Sequence, residues 1–127
     1  MTYRLIIFLH RKPGTTHAEF RDHYEYVHIP LTRKLTGSLF PTLHARRYID
    51  QGAALMDGGD EKKEGDAEAD AVVEVAFRDE AAAQAFFAAT NAGEAAERLR
   101  KDNEQFLDWQ RVKVLKVSEA FETRGDA

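Results

Sequence analysis

The sequence lacks several features that would point to particular classes of protein. It has no cysteine, which excludes disulfide bonds, thiolate nucleophiles and thiolate metal sites. No apolar run approaches the roughly 18 residues that a membrane-spanning helix needs. Basic residues are not in excess, since 18 Lys and Arg stand against 22 Asp and Glu and leave a net charge of −4 at pH 7. We therefore expect neither nucleic acid nor a membrane as a partner.

Motifs for cofactors and nucleophiles are also missing. The chain contains no Gly-x-Gly-x-x-Gly, no phosphate-binding loop and no serine-centred nucleophile elbow. The apolar run within the first nine residues is too short for a signal peptide and no small-residue cleavage site follows it, so we expect a cytoplasmic protein. The chemistry that remains is proton transfer by side chains, and we expect no cofactor and no metal.

What is present has the length and composition of one small globular domain: 127 residues, of which 43% are hydrophobic and 31% charged. Apolar segments with strand-like patterns predict strands at residues 3–10, 43–49, 71–77 and 111–117. Helical spacing predicts helices after Thr16, after Asp79 and at residues 94–107. The order strand, helix, strand, strand, helix, strand predicts an α+β, ferredoxin-like fold, with an antiparallel sheet and helices on one face.

The first predicted strand is apolar on both faces. One face carries Tyr3, Leu5, Ile7 and Leu9, and the other carries Ile6, Phe8 and His10. Helices on one side of a sheet leave the other side in water, so a strand with two apolar faces predicts a second covering layer. A second copy of the same sheet supplies such a layer, and we therefore expect a homodimer.

Two internal segments and the tail are predicted to be irregular. Pro30 cannot donate a hydrogen bond to the carbonyl of Tyr26, so we expect a kink at residues 26–30. Residues 51–70 hold seven acids, four glycines and two lysines, without the spacing of a calcium-binding loop. We interpret them as a flexible, solvated acidic loop rather than a metal site. The tail at residues 121–127 is expected to fray.

Three segments together resemble the EthD-like family. The first is Arg11-Lys12-Pro13-Gly14 with Phe20, Tyr24 and Val27-His28-Ile29-Pro30-Leu31, the second is residues 70–77 with Asp79, and the third is residues 102–108. The resemblance covers nearly the whole chain apart from the acidic loop and the tail. It implies a dimeric α/β barrel, in which two ferredoxin-like units join sheet to sheet. It also implies similarity to small cofactor-free enzymes of polyketide and pigment pathways, which include cyclases, dehydratases, decarboxylases and some monooxygenases.

His28 is the leading candidate for a catalytic residue. It lies on the edge of the apolar helix stripe that runs from Phe20 to Leu35, which points it into the crevice between helix and sheet. An imidazole with an ordinary pKa of about 6.5 can act as an acid or a base near neutrality. The alternative is a core histidine bonded to a backbone carbonyl. The resemblance favours the catalytic interpretation, because the family signature includes this histidine.

Other candidates come from the strands and the aromatic residues. His44 shares one face of the second strand with Tyr48, and we expect this pair to meet His10 and Phe8 across the sheet, at a site or at an interface. Aromatic side chains that can line a substrate pocket, or belong simply to the core, are Tyr24, Phe77, Phe86, Phe87 and Trp109.

Glu74 is the third catalytic candidate, because it stands among valines on a central-looking strand, where an unpaired carboxylate is costly to bury. We expect it either to pair with Arg46 or Arg111, or to be a pocket acid with a raised pKa. His23 and His28 lie five residues apart, off the shared face of an i, i+4 pair, so no histidine metal site is predicted.

We therefore predict a cofactor-free lyase or cyclase that acts on a small aromatic, polyketide-like molecule by decarboxylation, dehydration or ring closure, with His28 as general acid or base. Two alternatives stay open. One is a cofactor-independent monooxygenase acting on a phenol or anthrone, and the other is a non-enzymatic dimeric module that binds a small molecule.

Overall fold

Four strands and four α-helices follow one another in the residues that the computed structural model describes, which are 2–52, 55–56 and 69–126. In chain order the elements are β1 (Tyr3–Leu9), α1 (His17–His23), a π-helical turn (Tyr24–His28), α2 (Ile29–Thr36), β2 (Leu43–Tyr48), β3 (Ala71–Phe77), α3 (Glu80–Thr90), α4 (Gly93–Phe106) and β4 (Lys113–Lys116). Short 3₁₀ turns occupy Gly37–Leu39 and Trp109–Arg111. The last strand is therefore shorter than predicted, because residue 111 belongs to a 3₁₀ turn.

The strands form one antiparallel sheet in the order β2-β3-β1-β4. In this order β1 pairs with β3 and β4 while β2 lies at the edge, which is the arrangement of a split βαβ fold. The predicted α+β, ferredoxin-like fold is confirmed. The predicted contact of the His44 and Tyr48 pair with β1 is wrong, because β3 lies between the two strands and His44 is opposite Val75.

The core lies on the helix-facing side of the sheet. Residues that are opposite each other on neighbouring strands share a face, so Leu5 and its partner Val75 point to the same side. They belong to one packed cluster with Phe20 of α1 and Phe106 of α4, whose rings are 5.7 Å apart and almost completely buried. This packing holds α1 and α4 against the sheet and against each other.

Local polar residues determine where two of the helices begin. The hydroxyl of Thr16 accepts a hydrogen bond from the backbone N–H of Glu19 at 3.0 Å. The Glu19 carboxylate accepts one from the backbone N–H of Thr16, also at 3.0 Å, and the two bonds form a capping box. The carboxylate of Asp79 accepts the N–H of Ala82 at 2.8 Å at the start of α3. Both helices thus start where the sequence predicts.

The irregularity predicted before Pro30 takes the form of a π-helical turn. The N–H of Ile29 donates to the carbonyl of Tyr24, five residues earlier. Continued α-helix would set the carbonyl of Tyr26 against Pro30, which has no N–H and whose ring crowds that carbonyl. The wider turn also changes which side chains lie together, because residues five apart approach a shared side of the helix.

The opposite side of the sheet is left more exposed by its own chain. Ile6, Phe8 and Val72 are only half-buried there, and Leu43 and Leu115 are 41% and 49% exposed. β1 therefore has two apolar faces, of which the chain itself buries one.

The predicted acidic loop falls mainly on residues outside the described part of the chain. Its last residue, Asp70, is described and buried, and it accepts hydrogen bonds from the N–H of Arg11 at 2.8 Å and from Nδ1 of His17 at 3.0 Å. Ala69 is buried as well, and neither residue belongs to a helix or a strand. Residues 117–126 form neither helix nor strand. No helix in the described ranges combines the length and the apolar character needed to cross a membrane.

Candidate functional site

A cavity of about 570 Å³ opens between the helix-facing side of the sheet and helices α2, α3 and α4. Ile7, Val75 and Val114 line it from three adjacent strands. Known small-molecule pockets span about 300–1,000 Å³, so the cavity can hold a molecule of a few fused rings. Most of its lining is apolar, and the polar side chains that reach it include Tyr24, His28 and His44.

His28 lines this cavity and is oriented by a carboxylate outside it. Nδ1 of His28 lies 2.7 Å from Oδ2 of Asp102 in α4, a residue 74 positions away in the sequence. An ionised carboxylate can only accept, so Nδ1–H donates and the neutral ring carries its lone pair on Nε2. Asp102 itself does not line the cavity, so Nδ1 of His28 is bonded to a partner outside it. No hydrogen bond joins Nε2 to any residue that the structure describes.

The same carboxylate binds a second histidine. Nε2 of His23 lies 2.8 Å from Oδ1 of Asp102, and the His23 ring stacks on Phe106 with 4.5 Å between centroids. In a continuous α-helix, His23 and His28 would point to different sides. The π-helical turn between them brings both rings to Asp102, so the expectation that they share no face is wrong.

Asp102 is ionised at neutral pH despite being only 9% exposed. Burial acts to raise its pKa, but the hydrogen bonds donated by His28 and His23 outweigh burial and place the pKa below its ordinary value. An ionised partner fixes the tautomer of His28 and stabilises the positive charge that the ring acquires when Nε2 takes a proton. This arrangement suits His28 for general acid–base chemistry.

A second hydrogen-bonded pair faces the same cavity. The hydroxyl of Tyr24 lies 2.8 Å from Nε2 of His44, and the rings of Tyr24 and His28 meet edge to face with 5.6 Å between centroids. Burial lowers the pKa of His44 to about 4, and the charges of Arg46 and His28 act in the same direction. Burial also raises the pKa of Tyr24 far above its ordinary value. Both side chains are therefore neutral at pH 7, and the hydrogen bond between them runs in either direction depending on which ring nitrogen of His44 carries the proton.

Tyr48, a predicted substrate-binding residue, does not line the cavity. Its hydroxyl donates to Glu25 at 2.5 Å, and Arg46 donates to the same carboxylate from Nε at 2.6 Å and Nη2 at 2.5 Å. The bond from Arg46 is the largest cause of the low pKa of Glu25, about 2. Tyr48 instead packs against Phe20 in the core.

Glu74 and Phe8, which were also candidates, lie on the other side of the sheet and do not line the cavity. Glu74 forms an ion pair with Arg4 at 2.8 Å. The predicted pairing with Arg46 or Arg111 is wrong. Arg46 is opposite the residue next to Glu74 and so points to the helix-facing side.

The aromatic candidates divide between cavity and core. Phe86, Phe87 and Trp109 line the cavity, and the last two are 38% and 64% exposed, so they belong to its rim. Phe77 does not line it. It is buried in the core, where its ring lies 5.4 Å from that of Phe86. Phe77 thus packs behind Phe86, which forms part of the cavity wall.

Asp102 is the residue for which the sequence predicted no role. A signal was present, since it shares a helical face with Leu99 and Phe106, which are both buried. A carboxylate on an apolar stripe must find hydrogen-bond donors in the core. The identity of those donors depends on how α1 and α4 pack, which local sequence does not reveal.

The chain matches a protein family in sequence and resembles solved structures in fold. Residues 12–110 match the EthD domain family. An EthD family protein from Bacillus halodurans C-125 superposes with a TM-score of 0.58 and 22% identity, covering 94% of this chain and 100% of the other. A hypothetical protein from Arabidopsis thaliana superposes with a TM-score of 0.53 and 11% identity, covering 96% and 91%. These two similarities show a common fold. No curated protein sequence matches the chain.

Proposed function

This chain belongs to the EthD family, and we propose that it is a cofactor-free lyase or cyclase that moves a proton on a small aromatic, polyketide-like substrate. One observation carries the proposal. His28 lines an apolar cavity, while a buried, ionised carboxylate outside the cavity lies 2.7 Å from Nδ1 of its ring. An oriented imidazole beside an apolar space is suited to proton transfer on a bound molecule.

His28 supplies the atom that transfers the proton. The lone pair of Nε2 accepts a proton from a substrate carbon next to a carbonyl, and the ionised Asp102 stabilises the imidazolium that results. The imidazolium then returns the proton to a departing hydroxyl group, which leaves as water. In a decarboxylation the order differs, because an imidazolium present at the start protonates the carbon from which carbon dioxide has left.

Tyr24 and His44 supply a second polar pair for the same reaction. When a substrate carbonyl oxygen gains negative charge, the Tyr24 hydroxyl can donate to it, while His44 in its Nε2–H form donates to the tyrosine oxygen. The high pKa of Tyr24, caused first by burial, keeps the hydroxyl protonated and available as a donor. The pair thus stabilises the enolate that His28 creates.

The apolar lining suits a substrate that stabilises its own carbanion. Phenolic rings and β-keto chains delocalise the negative charge left by proton or carbon dioxide loss, so the protein needs to supply little besides orientation and a proton carrier. Phe86, Phe87 and Trp109 offer aromatic surfaces on which such rings can pack.

The proposal is tested by incubating the protein with an anthrone carboxylic acid, with and without oxygen. We expect loss of carbon dioxide or water at the same rate under both conditions. His28→Gln should lower kcat by about 10²- to 10⁴-fold, because glutamine can still hydrogen-bond to Asp102 but carries no titratable proton. Its melting temperature should stay close to that of the wild type, which separates lost chemistry from lost folding.

Other outcomes would replace the proposal. Oxygen uptake linked to turnover would identify a monooxygenase. Binding of the acid without turnover under either condition would identify a module that only binds small molecules. Full activity of a folded His28→Gln protein would remove His28 from the mechanism and make His44 the next residue to examine.

We also propose that the protein is a homodimer joined through the open side of the sheet. Phe8, Val72 and Leu115 form an apolar surface there that the chain leaves partly exposed. Burying it against a second copy stabilises the pair by about 25 cal/mol per Å² of apolar surface. Sedimentation at micromolar concentration should show a species of twice 14.4 kDa, and a monomer alone would contradict the proposal.

A further inference from the structure

A second cavity of about 440 Å³ lies between α2 and the edge strand β2. Its lining includes two arginines and consists of Ile29, Arg33, Phe40, Pro41, Thr42, His44 and Arg46. Four of these residues also line the larger cavity that contains His28: Ile29, Phe40, Pro41 and His44. We call this second cavity the arginine groove. The two spaces share a wall, so one elongated molecule can reach both.

The arginine groove carries a positive charge that the protein does not neutralise within the described ranges. The guanidinium of Arg46 donates two hydrogen bonds to the carboxylate of Glu25, and these two charges cancel. Burial lowers the pKa of His44 to about 4, so His44 adds no charge at pH 7. Arg33 forms no ion pair with any acidic residue that the structure describes, and its charge remains. An anion is the ligand that such a site favours.

Contacts within the groove hold Arg33 close to the shared wall. Its guanidinium carbon lies 5.2 Å from the centroid of the Phe40 ring, in a cation–π contact that limits its freedom. The Phe40 ring in turn meets the His44 ring edge to face at 5.9 Å. Arg33, Phe40 and His44 therefore follow one another from the groove to the larger cavity. A guanidinium held in this way presents its planar fork to a carboxylate at lower entropic cost than a fully solvated side chain.

We propose that the arginine groove binds the carboxylate of an aromatic acid whose ring system occupies the cavity beside His28, and that Arg33 selects acids over neutral analogues. This rests on the proposed function, since it places the reacting part of the substrate at His28. It narrows the substrate class from aromatic, polyketide-like molecules to aromatic molecules with a carboxylate at one end.

The proposal has a chemical consequence for the reaction. A carboxylate that leaves as carbon dioxide gives up its negative charge to the carbon skeleton, and a guanidinium bound to that carboxylate opposes the loss. The acid held by Arg33 is therefore a group that stays on the product. Loss of water or ring closure elsewhere on the molecule is compatible with such a bound carboxylate, and the carbon dioxide of a decarboxylation would have to come from a different position.

The test uses binding rather than turnover, so it does not need the natural substrate. Isothermal titration calorimetry would compare 2-naphthoate with 2-naphthamide, which has nearly the same shape but no charge. A charge-assisted hydrogen bond predicts that the wild type binds the acid about tenfold or more tightly than the amide. Arg33→Gln should reduce this preference to about twofold or less, and Arg33→Lys should retain part of it, because lysine keeps the charge without the fork.

Lys34→Gln is the matched control. It removes one positive charge from the neighbouring position of the same helix, outside both cavities, and should keep the preference for the acid. If Lys34→Gln and Arg33→Gln reduce the preference for the acid equally, only the overall charge of the helix matters, and the proposal is overturned. It would also be overturned by equal affinity for the two compounds in the wild type, by an unchanged preference in Arg33→Gln, or by no binding of 2-naphthoate at millimolar concentration.

His28→Gln separates this proposal from the proposed function. If both are correct, His28→Gln keeps the preference for 2-naphthoate and loses turnover, whereas Arg33→Gln loses the preference. If the wild type prefers the acid but turns over no aromatic acid, the arginine groove is supported as a carboxylate-binding site and the proposed enzymatic function is contradicted. If turnover depends on His28 but the wild type shows no preference for the acid, the enzymatic function is supported and the arginine groove is contradicted as a carboxylate-binding site.

Discussion

The two sides of the sheet are built from alternating residues of the same strands, but they carry different chemistry. On the helix-facing side, Asp102 is buried, ionised and bonded to two histidines. On the open side, Glu74 forms an ion pair with Arg4, and its side chain is 24% exposed. Helices exclude water from one side, whereas the chain itself leaves the other side half-exposed. A carboxylate in an apolar surrounding therefore acquires its role from the elements that cover it rather than from its neighbours in sequence.

The largest expected effect contrasts two phenylalanines on the two sides. Phe20 is fully buried on the helix-facing side, and Phe20→Ala should cost about 3–5 kcal/mol in the free energy of unfolding. Phe8 is only half-buried in a single chain, so Phe8→Ala should cost much less in the free energy of unfolding of the monomer and should mainly weaken self-association. Urea unfolding at two protein concentrations, together with sedimentation, measures both quantities.

If Phe20→Ala and Phe8→Ala lower the free energy of unfolding equally at a concentration where the wild type is monomeric, the chain itself buries Phe8. An unchanged dimer in Phe8→Ala would move the interface away from the open side of the sheet.

The next effect contrasts the two carboxylates. Asp102→Asn keeps the shape of the side chain but removes the charge that stabilises a protonated His28, and we expect kcat to fall by about 10²-fold or more. Glu74→Gln lies on the other side of the sheet and should change kcat by less than about twofold. Steady-state rates on the same aromatic acid, at a concentration that keeps both variants in the oligomeric state of the wild type, make the comparison.

A pH profile sharpens the interpretation of Asp102. If Asp102 acts through His28, the pH dependence of kcat should shift in Asp102→Asn, whereas a loss of packing alone would lower kcat equally at every pH. A loss of activity in Glu74→Gln as large as that in Asp102→Asn would contradict the division between the two sides.

The smallest effect concerns the pH dependence of stability on the helix-facing side. Burial holds the pKa of His44 at about 4 in the folded protein, below the roughly 6.5 of the unfolded chain. Between these values the unfolded state binds a proton that the folded state does not, so stability falls as pH falls from about 6.5 to 4. We expect this group to contribute a loss of about 1–2 kcal/mol, reduced from the full shift because the ring is partly exposed.

Urea unfolding at pH 7 and pH 4.5 tests this expectation in the wild type and in His44→Gln. The variant should lose less stability between the two pH values than the wild type does. Identical losses would show that His44 titrates normally, and the Tyr24–His44 pair would then be an ordinary surface contact.

Much of the fold could be predicted because its determinants are local. Thr16 with Glu19, and Asp79, mark helix starts through bonds that span three residues. Alternating apolar residues define strands, and the order of elements restricts the topology to a split βαβ sheet. The family resemblance was confirmed over residues 12–110 for the same reason, since its segments are short and contiguous.

The candidate site could be predicted only in part. His28 was selected by its place on the helix stripe and by the family resemblance, His44 was selected by its place on a strand, and the structure brings both to one cavity. The sequence did not assign Asp102, and it placed Glu74 with the wrong partners. In both cases the deciding contact joins residues at least 70 positions apart, at distances set by the packing of helices and strands.

What the sequence by itself determined is therefore the set of elements, their order and the residue types available for proton transfer. Periodicity, caps and the proline at position 30 act within a turn or two of the chain, so they can be recognised without the fold. Only the tertiary structure decided which side of the sheet the helices cover, that a π-helical turn brings His23 and His28 to one carboxylate, and that Arg33 stands beside the wall shared by two cavities. These features depend on burial and on contacts between distant segments, because water excluded by packing is what changes the pKa of a buried group and gives a hydrogen bond its strength.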